Sequence, residues 1–213
     1  MERRKAPVYY TVMTALRRIH DNWPLFGFAL LLLAPSLAIR CGLLPFDMRF
    51  EALLAISTLC IGLCFLAGYS IAELGLRAPW VARHWLGCGV ATLCISAALY
   101  LESLYFPTGR QQPDWMRFAP FYVLISSPCQ ELVCRAIPKL IADKLQISGG
   151  NYVLFSAATF SLMHVAYGDA LLLANTFFVG LVWATAYRLT RNIWPVAASH
   201  AAVGSLAFWL GIA

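Results

Sequence analysis

The sequence predicts an all-α fold, a polytopic bundle of about seven transmembrane helices with a cytoplasmic N-terminus, and three observations predict it. First, 61% of the 213 residues are hydrophobic and 12% are charged, against about 45–50% and about 25% in ordinary soluble domains. Second, the apolar residues fall into runs near the length of about 20 that a bilayer-crossing helix needs. Third, the basic residues cluster beside those runs, mostly on alternate sides. Backbone groups in lipid must be satisfied within the segment, so such runs are helices rather than open strands.

The runs lie near 24–43, 51–75, 84–106, 117–141, 151–168, 170–189 and 192–212. The first follows a basic stretch in which Arg17, Arg18, His20 and Asp21 precede the apolar residues. No small-residue cleavage site follows it, so no cleaved signal peptide is expected. The second run ends in Glu73-Leu-Gly-Leu-Arg77. Between the third and fourth lies Phe106 to Arg117, with Pro107, Gly109 and Pro113, the longest polar loop. Only Gly168 and Asp169 separate the fifth and sixth runs, so one of these is expected to be short, tilted or re-entrant.

Placing the N-terminus inside puts Arg3, Arg4, Lys5, Arg17, Arg18, Arg77, Arg83, Lys139, Lys144, Arg188 and Arg191 on the cytoplasmic side, and only Arg40, Arg49, Arg110 and Arg117 outside. That asymmetry is the positive-inside pattern. It also explains the net charge of +6 better than nucleic-acid binding does, because no basic polar face is present. Trp23, Trp80, Trp115 and Trp194 sit near run ends, where amphipathic rings favour the headgroup region. The seven cysteines, Cys41, Cys60, Cys64, Cys88, Cys94, Cys129 and Cys134, form no Cys-x-x-Cys pair and read as reduced packing residues. No polar linker divides the chain, so residues 1–213 read as one integral-membrane domain, in contact with the lipid bilayer and with no nucleic-acid partner.

Polar residues inside the runs carry the functional signal. The fourth run contains Ser126-Ser-Pro-Cys-Gln-Glu-Leu-Val-Cys-Arg135. A charge at the centre of a membrane helix costs about 2.5–3.5 kcal/mol on insertion scales, so Glu131 and Arg135 need a reason to be there. Four residues apart, they share a helix face and can pair. Pairing alone would serve to lock helices together. Two of the four histidines, however, also lie deep in separate runs: His164 in Phe160-Ser-Leu-Met-His164 and His200 in His200-Ala-Ala-Val-Gly204. A carboxylate, an arginine and two histidines from three helices could surround one water and one peptide carbonyl.

These residues resemble the CAAX protease and bacteriocin-processing family of intramembrane endopeptidases, which includes the type II CAAX prenyl proteases. The family pattern is Glu-Glu-x-x-x-Arg, Phe-x-x-x-His and His-x-x-x-Asn, each on its own helix. Here Gln130-Glu131 with Arg135, Phe160 with His164, and His200 with Gly204 occupy it. Glu73-Leu-Gly-Leu-Arg77 and the stretch from Gly180 to His200, with Tyr187-Arg-Leu-Thr-Arg-Asn-Ile-Trp-Pro195, also look like the family, so the family-like core covers about residues 70–205. Two positions depart. Gln130 stands for the first glutamate, and an amide cannot accept a proton as a base; Gly204 stands for the terminal asparagine.

The resemblance implies an endopeptidase acting on a membrane-associated peptide or protein, lipid-modified or not, in the plasma membrane of a prokaryote. Glu131 and His164 would polarise a water, with Glu131 the base and Gln130 orienting the water. His200 would donate to the oxyanion, and Phe160 and Gly204 would border the substrate. No cofactor is implied. Two histidines and a carboxylate are also ligand types of catalytic zinc, so zinc is the alternative, although the His-Glu-x-x-His spacing is absent. Competing functions are an inactive relative serving as an immunity, scaffold or peptide-binding protein, and a transporter using Glu131 and the histidines as a proton path.

Overall fold

The computed structural model describes residues 23–77, 79–106 and 112–213. Arg3, Arg4, Lys5, Arg17, Arg18, His20, Asp21, Pro107, Gly109 and Arg110, used above for orientation and loop assignment, lie outside the described residues. Among those described the chain is helical, with no strand. Helix α1 spans Trp23–Arg40, a 3-10 turn at Phe46–Met48 leads into α2 at Arg49–Leu66, and α3 spans Ala82–Tyr105. Four stretches are long and apolar enough to cross a bilayer: Trp23–Arg40, Phe46–Leu66, Ala82–Tyr105 and Ala170–Thr190. Large apolar side chains such as Leu30, Leu66, Leu93 and Phe178 stand exposed on them, a surface suited to acyl chains rather than water.

The second apolar run, expected as a helix to 75, is helical only to Leu66. Gly68 takes a left-handed φ of 85°, and residues 67–77 fold into turns. This segment packs on the corner before the last helix. Trp194 Nε1 donates to the Leu76 carbonyl at 3.0 Å and Asn192 Nδ2 to that of Pro79 at 3.3 Å; Leu74 is fully buried. Gly75, at φ 76°, could carry no side chain, since a β-carbon would lie 2.8 Å from the Arg191 carbonyl oxygen. Trp194 is therefore a clamp between this segment and the last helix.

The fourth run forms one composite rod with two wide turns. Helix α4 (Trp115–Phe121) continues through a π turn (Tyr122–Ser126) into α5 (Ser127–Glu131), then through a second π turn (Leu132–Ala136) into α6 (Ile137–Lys144). Each π turn closes just before a proline. Ser127 N–H donates to the Tyr122 carbonyl and Ile137 N–H to that of Leu132, and Pro128 and Pro138 follow. A proline has no N–H to offer four residues back, and its ring crowds the carbonyl there, so the ladder widens by one residue. The carbonyl of Cys134, four before Pro138, is taken instead by Ser156 Oγ at 2.6 Å. Tyr152 Oη donates to the neighbouring Arg135 carbonyl at 3.2 Å.

Ser156 and Tyr152 lie on α7 (Gly149–Leu162), whose N-terminus is capped by Ser148. The helix tightens into a 3-10 turn at Met163–Tyr167 and stops at Gly168, whose φ is 68°. Asp169 caps the next helix by accepting from the N–H groups of Leu171 and Leu172. Helix α8 (Ala170–Thr190) and α9 (Ile193–Trp209), capped by Asn192, complete the chain. The fifth run is thus 14 α-helical residues plus a tight turn, the short element foreseen beside Gly168 and Asp169. At the far end of the rod, Asp143 binds both Lys139 and Arg191. Partial burial pushes its carboxyl up, but hydrogen bonds from Lys139 and Arg191 outweigh this and hold it below the ordinary aspartate range.

Candidate active site

The rod and α9 meet at one carboxylate, and α7 reaches it through Arg135. Glu131, at the end of α5, is fully buried. Its Oε1 lies 2.7 Å from Nδ1 of His200 on α9, and its Oε2 lies 3.1 Å from Nε of Arg135. The second π turn runs between Glu131 and Arg135, and its wider winding sets residues four apart close to one line. Arg135, also fully buried, donates from Nη1 to Oγ and the carbonyl of Ser156 at 3.0 and 3.2 Å. Its guanidinium carbon stands 4.6 Å from the centre of the Phe160 ring, where a cation is attracted to the π face. The charge that the apolar sequence could not explain is thus neutralised by a second charge, a hydroxyl, a carbonyl and a ring.

His200 is held on every side. The Trp183 ring stacks on it at 4.5 Å, and Phe160 meets it edge-on at 5.4 Å. Trp183 is fixed in turn by donating from Nε1 to Ser199 Oγ at 3.0 Å, and Thr92 Oγ1 donates to the same oxygen at 2.7 Å. With Glu131 accepting, Nδ1 of His200 carries a proton.

His164 sits in the tight turn after α7, with Nδ1 2.8 Å from the Phe160 carbonyl oxygen. A carbonyl only accepts, so Nδ1 carries the proton and Nε2 keeps its lone pair in the neutral ring. The ring packs 4.9 Å from Phe160 and 6.0 Å from Tyr167.

A cavity is lined by Gln130, Phe160, His164, His200, Tyr122 and Gly204 among others. A neighbouring hollow shares Gln130 and His164 with it and reaches Ser36 and Arg49. Gln130 donates from Nε2 to Ser126 Oγ at 3.0 Å. The structure therefore brings Gln130, His164 and His200 to one empty space, with Phe160 and Gly204 in its wall. Glu131 and Arg135 belong to the same constellation but line neither space. The two carboxylate oxygens of Glu131 face His200 and Arg135. No three metal-ligating side chains lie close enough together to hold an ion among the described residues.

Sequence reasoning missed several parts of the site. Ser156 precedes Phe160 by four residues and so shares its face, a signal available in the spacing. Pro128 and Pro138, ten apart, marked the two wide turns. Tyr122 and Trp183 were hidden among many aromatic residues. Asn175 on α8, which lines the cavity, donates from Nδ2 to both oxygens of Glu102 on α3 at 2.7 and 2.9 Å, a pairing no local pattern announces.

Residues 112–206 match a family model described as type II CAAX prenyl endopeptidase Rce1-like. That segment, which contains every residue of the constellation, is similar to the CAAX protease family. With four long apolar helices among the described residues, the chain is an integral membrane protein. No curated protein and no solved structure matches the chain significantly.

Proposed function

We propose, from the match of residues 112–206 to a type II CAAX prenyl endopeptidase family model, that this chain is an intramembrane endopeptidase hydrolysing a peptide bond in a membrane-associated peptide or protein. The observation that carries the reading is the shared cavity: Gln130, His164 and His200, from three helices, line it together, and Glu131 stands behind His200 at 2.7 Å.

The chemistry follows from which atoms are occupied. A water in the cavity is oriented by the Gln130 amide and gives its proton to Nε2 of His164 while its oxygen adds to the scissile carbonyl carbon. The carbonyl π pair moves to oxygen. His200, doubly protonated against the Glu131 carboxylate, donates Nε2–H to that oxyanion, the kind of contact whose loss commonly costs about 2.7–4 kcal/mol. On collapse the C–N bond breaks, and His164 returns the proton to the departing nitrogen, leaving an acid and an amine. Glu131 is here a positioning residue that balances the charge of the His200 ring and fixes its angle, a role a carboxylate plays behind a catalytic imidazole elsewhere. This moves the base from Glu131 to His164.

Seven crossings with the N-terminus in the cytoplasm fit the distribution of basic residues, and a prokaryotic plasma membrane is the proposed location. The substrate is a chain segment reaching the bilayer, with a lipid modification as one way of bringing it there. The test is hydrolysis of membrane-anchored peptides by the full chain in proteoliposomes. Cleavage is expected, with His164→Ala and His200→Ala each reducing kcat by about 10²-fold or more. Tight peptide binding without cleavage would instead favour a peptide-binding relative in which Gln130 has ended catalysis.

A further inference from the structure

Tyr122 belongs to the first π turn and lines the same cavity as His164 and His200. Its ring stands 6.0 Å from that of His200, nearly perpendicular to it. Phe118 stacks on it at 5.0 Å, and Phe208 meets it edge-on at 5.5 Å. The phenol is therefore held as rigidly as the imidazole.

Its hydroxyl has a specific relation to Gly204. A β-carbon built on Gly204 would collide with Tyr122 Oη, and with Cζ and Cε1 of the same ring. The hydroxyl occupies the space that any other side chain at 204 would take. Gly204 follows His200 by four residues in α9, so the two share a helix face. The hydroxyl of Tyr122 thus stands one turn along that face from the His200 ring. Ser127, whose N–H closes the π turn on the Tyr122 carbonyl, has a buried hydroxyl with no hydrogen-bond partner among the described residues. The phenolic proton rotates about the Cζ–Oη bond and can point into the cavity that the ring lines.

We propose that the Tyr122 hydroxyl is a second hydrogen-bond donor to the carbonyl oxygen of the bound peptide, acting beside His200, and that glycine at 204 is what admits it. The assignment rests on the peptidase reading for its catalytic consequence. A donor brought from another helix replaces a side chain at position 204, so the wall of the cavity is not left without polarity there. Tyr122 donates throughout and keeps its own proton.

The experiment compares wild type, Tyr122→Phe and Gly204→Ala as full chains in proteoliposomes, using a membrane-anchored peptide with a 13C-labelled scissile carbonyl. Tyr122→Phe keeps the ring and removes the donor. The expected result is a fall in kcat of about 10²- to 10³-fold with KM within about threefold, and a rise in the bound carbonyl stretching frequency. Gly204→Ala, which displaces the phenol, should do the same. Unchanged kcat and frequency in Tyr122→Phe would overturn the assignment while leaving the peptidase intact, and so would a rate loss that tracks lost peptide binding. If wild type binds the peptide and never cleaves it, the peptidase reading fails, and the carbonyl frequency alone decides: a Tyr122-dependent shift supports the donor and its absence refutes it.

Discussion

Nδ1 of His200 lies 2.7 Å from Oε1 of Glu131, while Nε of Arg135 lies 3.1 Å from Oε2 of the same carboxylate. One buried anion therefore holds two cationic or protonated partners from two helices, and removing its charge strands both. Breaking a buried ion pair by losing one partner costs about 3–5 kcal/mol. Glu131→Gln should lower the melting temperature in detergent by a corresponding amount and also lower kcat through a misplaced His200. A variant as stable as wild type would mean that this carboxylate does not hold the helices together.

Ser156 serves two needs with one hydroxyl. It accepts from Arg135 Nη1 at 3.0 Å and donates to the Cys134 carbonyl at 2.6 Å. Ser156→Ala leaves a charged donor and a carbonyl short of partners, with a penalty of about 1–3 kcal/mol for each buried group left unsatisfied. Thermal unfolding should show the loss, and kcat should fall less than in His164→Ala, because Ser156 acts two contacts away from the cavity.

Much of this was legible in the sequence because polar residues in lipid-facing stretches are costly. Glu131, Arg135, His164 and His200 stand out against their surroundings for that reason, and the structure gathers them. Their division of labour was not legible. Whether a side chain faces the cavity or the helix behind it turns on about 100° of rotation, and Gln130 and Glu131 differ by that single step. The two π turns alter this rotation on either side of them, and nothing in a helical wheel drawn at 3.6 residues per turn includes them. The end of α2 at Leu66 was hidden by the apolar character of residues 67–76, which form turns of which only Leu74 and Gly75 are buried, Gly75 packing against Tyr187 and accepting from the Ile193 N–H.

Asp143 gives a pH signature outside the membrane. Its carboxyl is pushed up by partial burial, but Lys139 and Arg191 hold it below the ordinary value of 3.8. A depressed folded-state value means that the unfolded chain binds the proton first as pH falls. The contribution is thus complete above the ordinary value and lost as pH drops through the lower folded one. The stability difference between wild type and Asp143→Asn should be constant from about pH 7 to about pH 5 and shrink at more acid pH. A difference that grows on acidification would contradict the pairing with Lys139 and Arg191.

Metal removal separates the histidine mechanism from a zinc one. Zinc would need two histidine nitrogens and a carboxylate oxygen free to converge, whereas Nδ1 of His164 faces a carbonyl and both oxygens of Glu131 are engaged. Prolonged treatment with a chelator should leave the hydrolysis rate of the reconstituted protein unchanged. Loss of activity restored by stoichiometric zinc would require Glu131 to leave Arg135 and would sink the proposed assignment of His164 as base.

Position 130 is where a stronger base should have its effect. Gln130 lines the cavity with His164 and His200, and it is tethered to Ser126 Oγ at 3.0 Å. In Gln130→Glu the tether survives with its direction reversed, because a carboxylate can accept the proton of the Ser126 hydroxyl. The new side chain keeps the old shape and adds a proton acceptor beside the proposed water. A positioned base contributes about 10²- to 10⁴-fold; since His164 already supplies one, a gain near the lower end, about 10²-fold in kcat with KM little changed, is expected. The pH–rate curve should also gain a limb on its acid side, where the introduced carboxylate becomes protonated and the rate returns to that of wild type. Unchanged kcat and an unchanged curve would place the attacking water away from residue 130 and leave His164 as its sole proton acceptor.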